Sequence, residues 1–119
     1  MNHAVVEPAP SYLTEPSKPS FVNEGNNITL QWTYNIDGTF GKGEFRLLPS
    51  TIIATKTSSG LTLVSPAYRN RITMVASDSE TTITFLAVAR SDSGDYRYTI
   101  NNNFLEFAES NVEISVLCK

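Results

Sequence analysis

A period of two runs through this chain and restricts what it can fold into. In Ile28-Thr29-Leu30-Gln31-Trp32 the first, third and fifth residues are apolar and the others polar. The same alternation recurs in Ile72-Thr73-Met74, Ile83-Thr84-Phe85, Tyr96-Arg97-Tyr98-Thr99-Ile100 and Val112-Glu113-Ile114-Ser115-Val116. Successive side chains of a strand point to opposite faces, so each run reads as a strand with one buried side. No segment carries a sustained i, i+3, i+4, i+7 apolar stripe. Turn-forming clusters separate the runs: Asn23-Glu24-Gly25-Asn26, Asp37-Gly38, Lys42-Gly43, Ser58-Ser59-Gly60, Ser77-Asp78-Ser79 and Asn101-Asn102-Asn103. The pattern predicts strands near 11–15, 20–23, 27–34, 43–48, 51–56, 61–64, 71–76, 81–88, 94–101 and 106–117. Short strands at this spacing point to an all-β antiparallel sandwich or barrel. Pro8, Pro10, Pro16 and Pro19 restrict the N-terminal stretch to tail or edge strand, because proline donates nothing to a ladder.

With 119 residues the chain has room for one domain, and 40% apolar residues with a net charge of −3 exclude a disordered segment. Twelve acidic residues against nine basic ones leave no basic footprint for nucleic acid. No apolar run approaches the length of a membrane span, and Met1-Asn2-His3-Ala4 lacks the start of a signal peptide, which predicts a mature fragment or excised domain. The single cysteine, Cys118, and the single histidine, His3, lie near opposite ends. A zinc site needs three or four protein ligands, and a nucleophilic pair needs a histidine held by the fold. Phosphate-binding motifs of the GxxxxGK[ST] or GxGxxG kind are absent, and Asp78 with Glu80 reads as a solvated turn. The sequence therefore predicts no enzyme, no metal and no cofactor.

The segment from Arg71 to Tyr98 resembles the second half of a variable-type immunoglobulin domain, on the run Asp92-Ser93-Gly94-Asp95-Tyr96. In that family a D-x-G-x-Y-x-C motif opens strand F, and its Tyr forms the tyrosine corner. Asp92, Gly94 and Tyr96 match it, Arg71 stands where the family places the ion-pair partner of the Asp, and Ile83, Phe85 and Val88 stand at inward positions of strand E. Glu24 to Leu30 resembles the family's turn into strand B, so the likeness covers roughly residues 20 to 117. The resemblance implies a Greek-key sandwich, with residues 1–10 as a tail, 11–117 as one domain and 118–119 as the boundary to a following domain or stalk. A fibronectin type III sandwich is the alternative, which the Asp92–Tyr96 run disfavours.

One departure from the family stands out. Trp32 and Tyr98 occupy the two positions that the family joins by its inter-sheet disulfide, and Phe45 is the nearest stand-in for the buried strand-C Trp. The crosslink would close a loop of about 66 residues (98 minus 32), a constraint worth roughly 4 kcal/mol. Burying one large ring contributes roughly 4–6 kcal/mol before side-chain entropy. Rings at these positions can therefore stand in for the bond.

The resemblance implies extracellular recognition of another protein: the same molecule on an apposed cell, or another surface protein. Within the family, the cysteine-free, Asn-rich character is most similar to the outer domain of cnidarian allorecognition receptors. Membrane attachment would then run through a segment outside this chain. Family members commonly dock through strands G, F, C and C′. By position that selects Glu44, Arg46 and Leu48 on strand C, Ile52 on C′, and Arg97, Thr99 and Asn101 on F. Ile52 and Ile53 are adjacent, so at least one faces solvent. Phe104 and Leu105 either cap the sandwich end or form an exposed tip. Asn27-Ile28-Thr29 is a glycosylation sequon. Cys118 reads as a free thiol, a link to a further domain or a link between chains. Homophilic adhesion, heterophilic recognition and a spacer role remain as rivals at this point.

Overall fold

The computed structural model describes residues 9–103 and 106–118. Phe104 and Leu105 lie outside the described residues, as do residues 1–8, His3 among them, and Lys119. The strands are β1 (Ser11–Thr14), β2 (Ser20–Asn23), β3 (Ile28–Asn35), β4 (Phe40–Leu47) and β5 (Thr51–Lys56), then β6 (Thr62–Val64), β7 (Ile72–Ala76), β8 (Glu80–Phe85), β9 (Gly94–Asn102) and β10 (Phe107–Leu117). Two single-turn 3-10 segments, Pro66–Tyr68 and Arg90–Asp92, complete the described elements. One sheet has the order β1-β3-β8-β7 and the other β2-β10-β9-β4-β5-β6. These correspond to strands A-B-E-D and A′-G-F-C-C′-C″ of a variable-type immunoglobulin sandwich. The second sheet is not wholly antiparallel, because β2 runs parallel to β10. Pro16 and Pro19 interrupt the ladder between β1 and β2, and there the chain leaves one sheet for the other.

The structure corrects three of the sequence boundaries. Lys42-Gly43 is not a turn but lies inside β4, which starts at Phe40. Gly43 is there for lack of space: a Cβ would overlap the Tyr98 hydroxyl and sit 3.0 Å from Tyr98 Cζ. β8 stops at Phe85 rather than running to 88, because Ala87 turns left-handed at φ 46°. The Ala87 N–H donates to Asn27 Oδ1 (2.9 Å), and Val88 N–H donates to the Asn26 carbonyl (2.9 Å), which holds the turn closed. β4 ends at Leu47, so Leu48 lies beyond the strand in which the alternation placed it.

The core is built from rings. Trp32 and Tyr98 are fully buried, and their rings meet at 5.0 Å between centroids. Trp32 also meets Phe45 edge-on at 5.8 Å, and Phe45 stacks on Tyr96 at 5.4 Å with the planes 2° apart. Phe85 closes the cluster against Tyr96 at 5.3 Å, with Ile83 buried on the same face. Every polar handle in this cluster has a partner. The Trp32 indole N–H donates to Ser110 Oγ (2.9 Å), and the Ser110 hydroxyl donates to Glu15 (2.5 Å). That bond, with Lys18 as second partner, holds the Glu15 carboxyl below its ordinary range. Tyr34 Oη lies 3.1 Å from the Ser77 carbonyl, which can only accept. The remaining protons are then fixed in order: Tyr98 donates to Thr81 (2.7 Å) and Thr81 to Tyr34 (2.8 Å). Burial pushes the Tyr98 and Tyr96 phenols well above their ordinary value.

This packing makes Gly43 and Tyr98 one unit. We expect Gly43→Ala to cost about 1–3 kcal/mol through overpacking. Tyr98→Phe alone should cost about 1 kcal/mol for the lost hydrogen bond. Together they should cost less than the sum, since removing the hydroxyl frees the space that the Cβ needs. Denaturant midpoints of the two single variants and the double variant form the cycle. Strict additivity would show that the hydroxyl does not set the glycine.

At the sandwich end the Tyr96 hydroxyl donates to the Asp92 carbonyl (2.6 Å), the tyrosine corner. Asp92 also accepts from Arg71 Nη1 (2.7 Å) and from the Ala89 N–H (2.9 Å). The Asp92 carboxylate raises the pKa of the Arg71 guanidinium. A second tie between the sheets was not legible in the sequence. Lys56 of β5 is only 2% exposed, with Nζ 3.9 Å from the Phe40 ring centroid and 3.0 Å from Asp78 Oδ1 in the β7–β8 turn.

Candidate partner-binding face

The outward side of β10-β9-β4-β5 follows from strand register. Glu109, Thr99, Glu44 and Thr55 form one row across the sheet, and Asn111, Arg97, Arg46 and Ile52 the next. Phe107, Asn101 and Lys42 form a third, with Phe107 exposed. The alternation therefore brings Glu44, Arg46, Ile52, Arg97, Thr99 and Asn101 onto one face. Leu48 lies past the end of β4, where its N–H donates to the Asp95 carbonyl, and it lines a hollow with Asp95, Asn111 and Glu113 at the end of this face.

A register shift between Phe45 and Arg46 decides the isoleucines. It sets Ile52 opposite Arg46 and leaves Ile53 unmatched, so Ile53 is fully buried while Ile52 is exposed. Alternation alone could not show which of two adjacent isoleucines faces out.

Glu44 needs a correction. It faces outward, yet it is only 9% exposed. Lys42 Nζ reaches Glu44 Oε2 at 3.1 Å, and Arg46 pairs with the other oxygen. The long stems of Lys42 and Arg46 flank the carboxylate and account for its burial. Glu109 is an exposed acid of the face and pairs with Arg97 Nη1 at 3.1 Å, while Asp95 and Glu113, also exposed, form the row beyond Asn111 and Arg97. Arg97 Nε also donates to Asn111 Oδ1 (2.8 Å). Sequence reasoning missed Lys42, Phe107 and Glu109, although the 106–117 alternation carried the signal for the last two.

Arg46 and Arg97 stand directly opposite each other on adjacent strands. Like charges in that position destabilise a sheet, and here each guanidinium is drawn aside by its own acid. Between them and the end loops lies a hollow of about 150 Å³ lined by Lys42, Glu44, Thr99 and Asn101. Asn101 Oδ1 is buried against Gly41 with no hydrogen-bond partner among the described residues. The face thus offers charge of both signs and exposed apolar groups, an arrangement suited to another protein surface.

The remaining sequence-selected positions lie elsewhere. Asn27 is exposed at the entry to β3, and its hydrogen bond uses the side-chain oxygen, not the nitrogen to which an N-glycan is joined. Cys118 is an exposed free thiol beside Arg90. Among the described residues no group of His, Cys, Asp and Glu is arranged to hold a metal.

No family model matches the chain, and no curated protein does. Solved structures do. A chimeric titin Z1Z2 aligns with a TM-score of 0.71 at 20% identity, covering 93% of this chain and 96% of that one. A chain of the Dpr1 IG1 complex with DIP-eta IG1 gives 0.70 at 17% identity, covering 91% and 95%. The RIG-5 IG1 homodimer gives 0.71 at 18%, covering 92% and 98%. Likeness at this identity speaks for architecture. The chain is an all-β, variable-type immunoglobulin-like sandwich, and with one cysteine it has no disulfide between its sheets.

Proposed function

We propose that this domain is an extracellular cell–cell recognition module of a surface receptor. It binds a second copy of itself on an apposed cell, in the manner of an allorecognition or adhesion receptor, through the β10-β9-β4-β5 face. The single observation that carries the reading is the opposed Arg46–Arg97 pair beside the exposed Glu109. A two-fold contact is self-complementary, so each copy's Arg97 can exchange its own Glu109 for the Glu109 of the other copy. Glu44, already held by Lys42 and Arg46, is not the exchanging acid. Phe107 and Ile52 supply apolar contact at the margins. Both kinds of partner occur among the similar folds: RIG-5 IG1 forms a homodimer, whereas Dpr1 IG1 is bound to a different domain, DIP-eta IG1. In this proposal attachment to the cell falls to a segment outside the chain, since no helix among the described residues is long and apolar enough to cross a membrane. Asn27 carries a glycan at the sandwich end, clear of the binding face.

Beads displaying the domain test the proposal, because multivalent display reveals weak pairs. Arg97→Glu should abolish same-type clustering. It should leave the melting temperature within a few degrees, as an exposed ion pair contributes under about 1 kcal/mol. Arg97→Glu with Glu109→Arg should cluster with itself and not with wild type. Undiminished clustering of Arg97→Glu beads would refute the exchange. Beads that never self-cluster but bind a different surface protein would favour the heterophilic reading.

A further inference from the structure

The larger sheet ends on β6, which packs beside β7 of the other sheet but is hydrogen-bonded to no strand beyond β5 among the described residues. β6 pairs with β5 alone, in the register Ala54–Val64, Thr55–Leu63 and Lys56–Thr62. Its flanking bonds run from the Ser65 N–H to the Ile53 carbonyl (2.7 Å) and from the Thr57 N–H to the Leu61 carbonyl (2.8 Å). In an antiparallel ladder the bonding residues alternate, so Leu63 shares the inner bonds while Thr62 and Val64 turn their N–H and C=O groups outward. Proteins ordinarily blunt such an edge with charge. Here no residue from Thr57 to Tyr68 is charged, and Leu61 and Leu63 are 62% and 56% exposed. Ile52, Ala54, Leu63, Val64 and Pro66 line a groove of about 520 Å³ beside the strand, with Arg69 as its one charged residue.

We propose that β6 pairs antiparallel with β6 of a second copy, extending the six-stranded sheet across a two-fold axis through Leu63. The sequence of outward groups is self-complementary in one register. Thr62 faces the partner's Val64 and Val64 faces the partner's Thr62, which gives four backbone hydrogen bonds. Leu63 meets the partner's Leu63 as the close, non-bonded pair, and the partner's Leu61 comes down beside Ser65 at the mouth of the groove. The pairing lies in the plane of the sheet and leaves Arg97 and Glu109 free on both copies, with Ile52 shared between the groove and the margin of their face. It doubles the number of recognition faces in one particle, and so raises avidity, without relying on what those faces bind.

Cysteine trapping tests the register. In a Cys118→Ser background, Leu63→Cys places two thiols on the axis at the close pair, where Cα atoms are about 4.5 Å apart, within disulfide reach. Leu61→Cys, on the same face and slightly more exposed, lies opposite Ser65 and serves as the control. Under mild oxidation of the purified domain, Leu63→Cys should form covalent dimers at least tenfold faster than Leu61→Cys. Thr62→Pro, which removes an outward donor and no internal bond, should slow that trapping. Equal rates for the two cysteines, or trapping that Thr62→Pro leaves unchanged, would overturn the edge pairing. Adding Arg97→Glu should leave the trapping rate unaltered, which separates this result from that of the face.

Discussion

Trp32→Ala should lower the stability of the domain by about 3–5 kcal/mol, the range for deleting a large buried ring. For a domain near 100 residues, that corresponds to a melting temperature lower by roughly 15 °C or more. Two losses combine in this one change, and a third feature keeps the core from relaxing around them. The indole leaves a void between Tyr98 and Phe45, which it contacts at 5.0 and 5.8 Å. Ser110 loses its donor while it stays buried under Glu15. Tyr98, whose hydroxyl is held by Thr81, is not free to swing into the space. Denaturant unfolding followed by circular dichroism reads the effect, and a loss below about 1 kcal/mol would mean that the ring carries little of the fold.

Much of this architecture is written in the period of two, because burial on one face imposes it residue by residue. Trp32, Tyr96, Tyr98, Ile83 and Phe85 all lie on buried sides of their strands. What alternation cannot carry is anything decided by a neighbour distant in sequence. Gly43 looks like a turn residue until Tyr98 is laid over it. Ile52 and Ile53 are indistinguishable until the register shift against β4 separates them. Glu44 reads as a free acid of the face, and only the lengths and directions of Lys42 and Arg46 show it covered. Lys56 sits in a strand as a charge that ought to face water, yet Phe40 and Asp78 give it a buried seat. The candidate face was half legible for the same reason. Strand positions identify which residues point outward, whereas the pairing of Arg97 with Glu109 depends on β9 meeting β10.

The aromatic closure has a covalent alternative, and the two can be compared in one molecule. Trp32→Cys with Tyr98→Cys, in a Cys118→Ser background, places thiols at the two positions whose rings now meet across the sandwich. A formed disulfide would return roughly 4 kcal/mol by constraining the unfolded chain. Removing two large rings costs about 3–5 kcal/mol each. It also strands the Ser110 and Thr81 hydroxyls, which the rings now engage. The measurement is the denaturant midpoint of the oxidised double variant, with crosslink formation verified by mass. If the rings close the sandwich, that midpoint falls clearly below wild type even when the disulfide is complete. A crosslinked variant as stable as wild type, or more so, would contradict the claim.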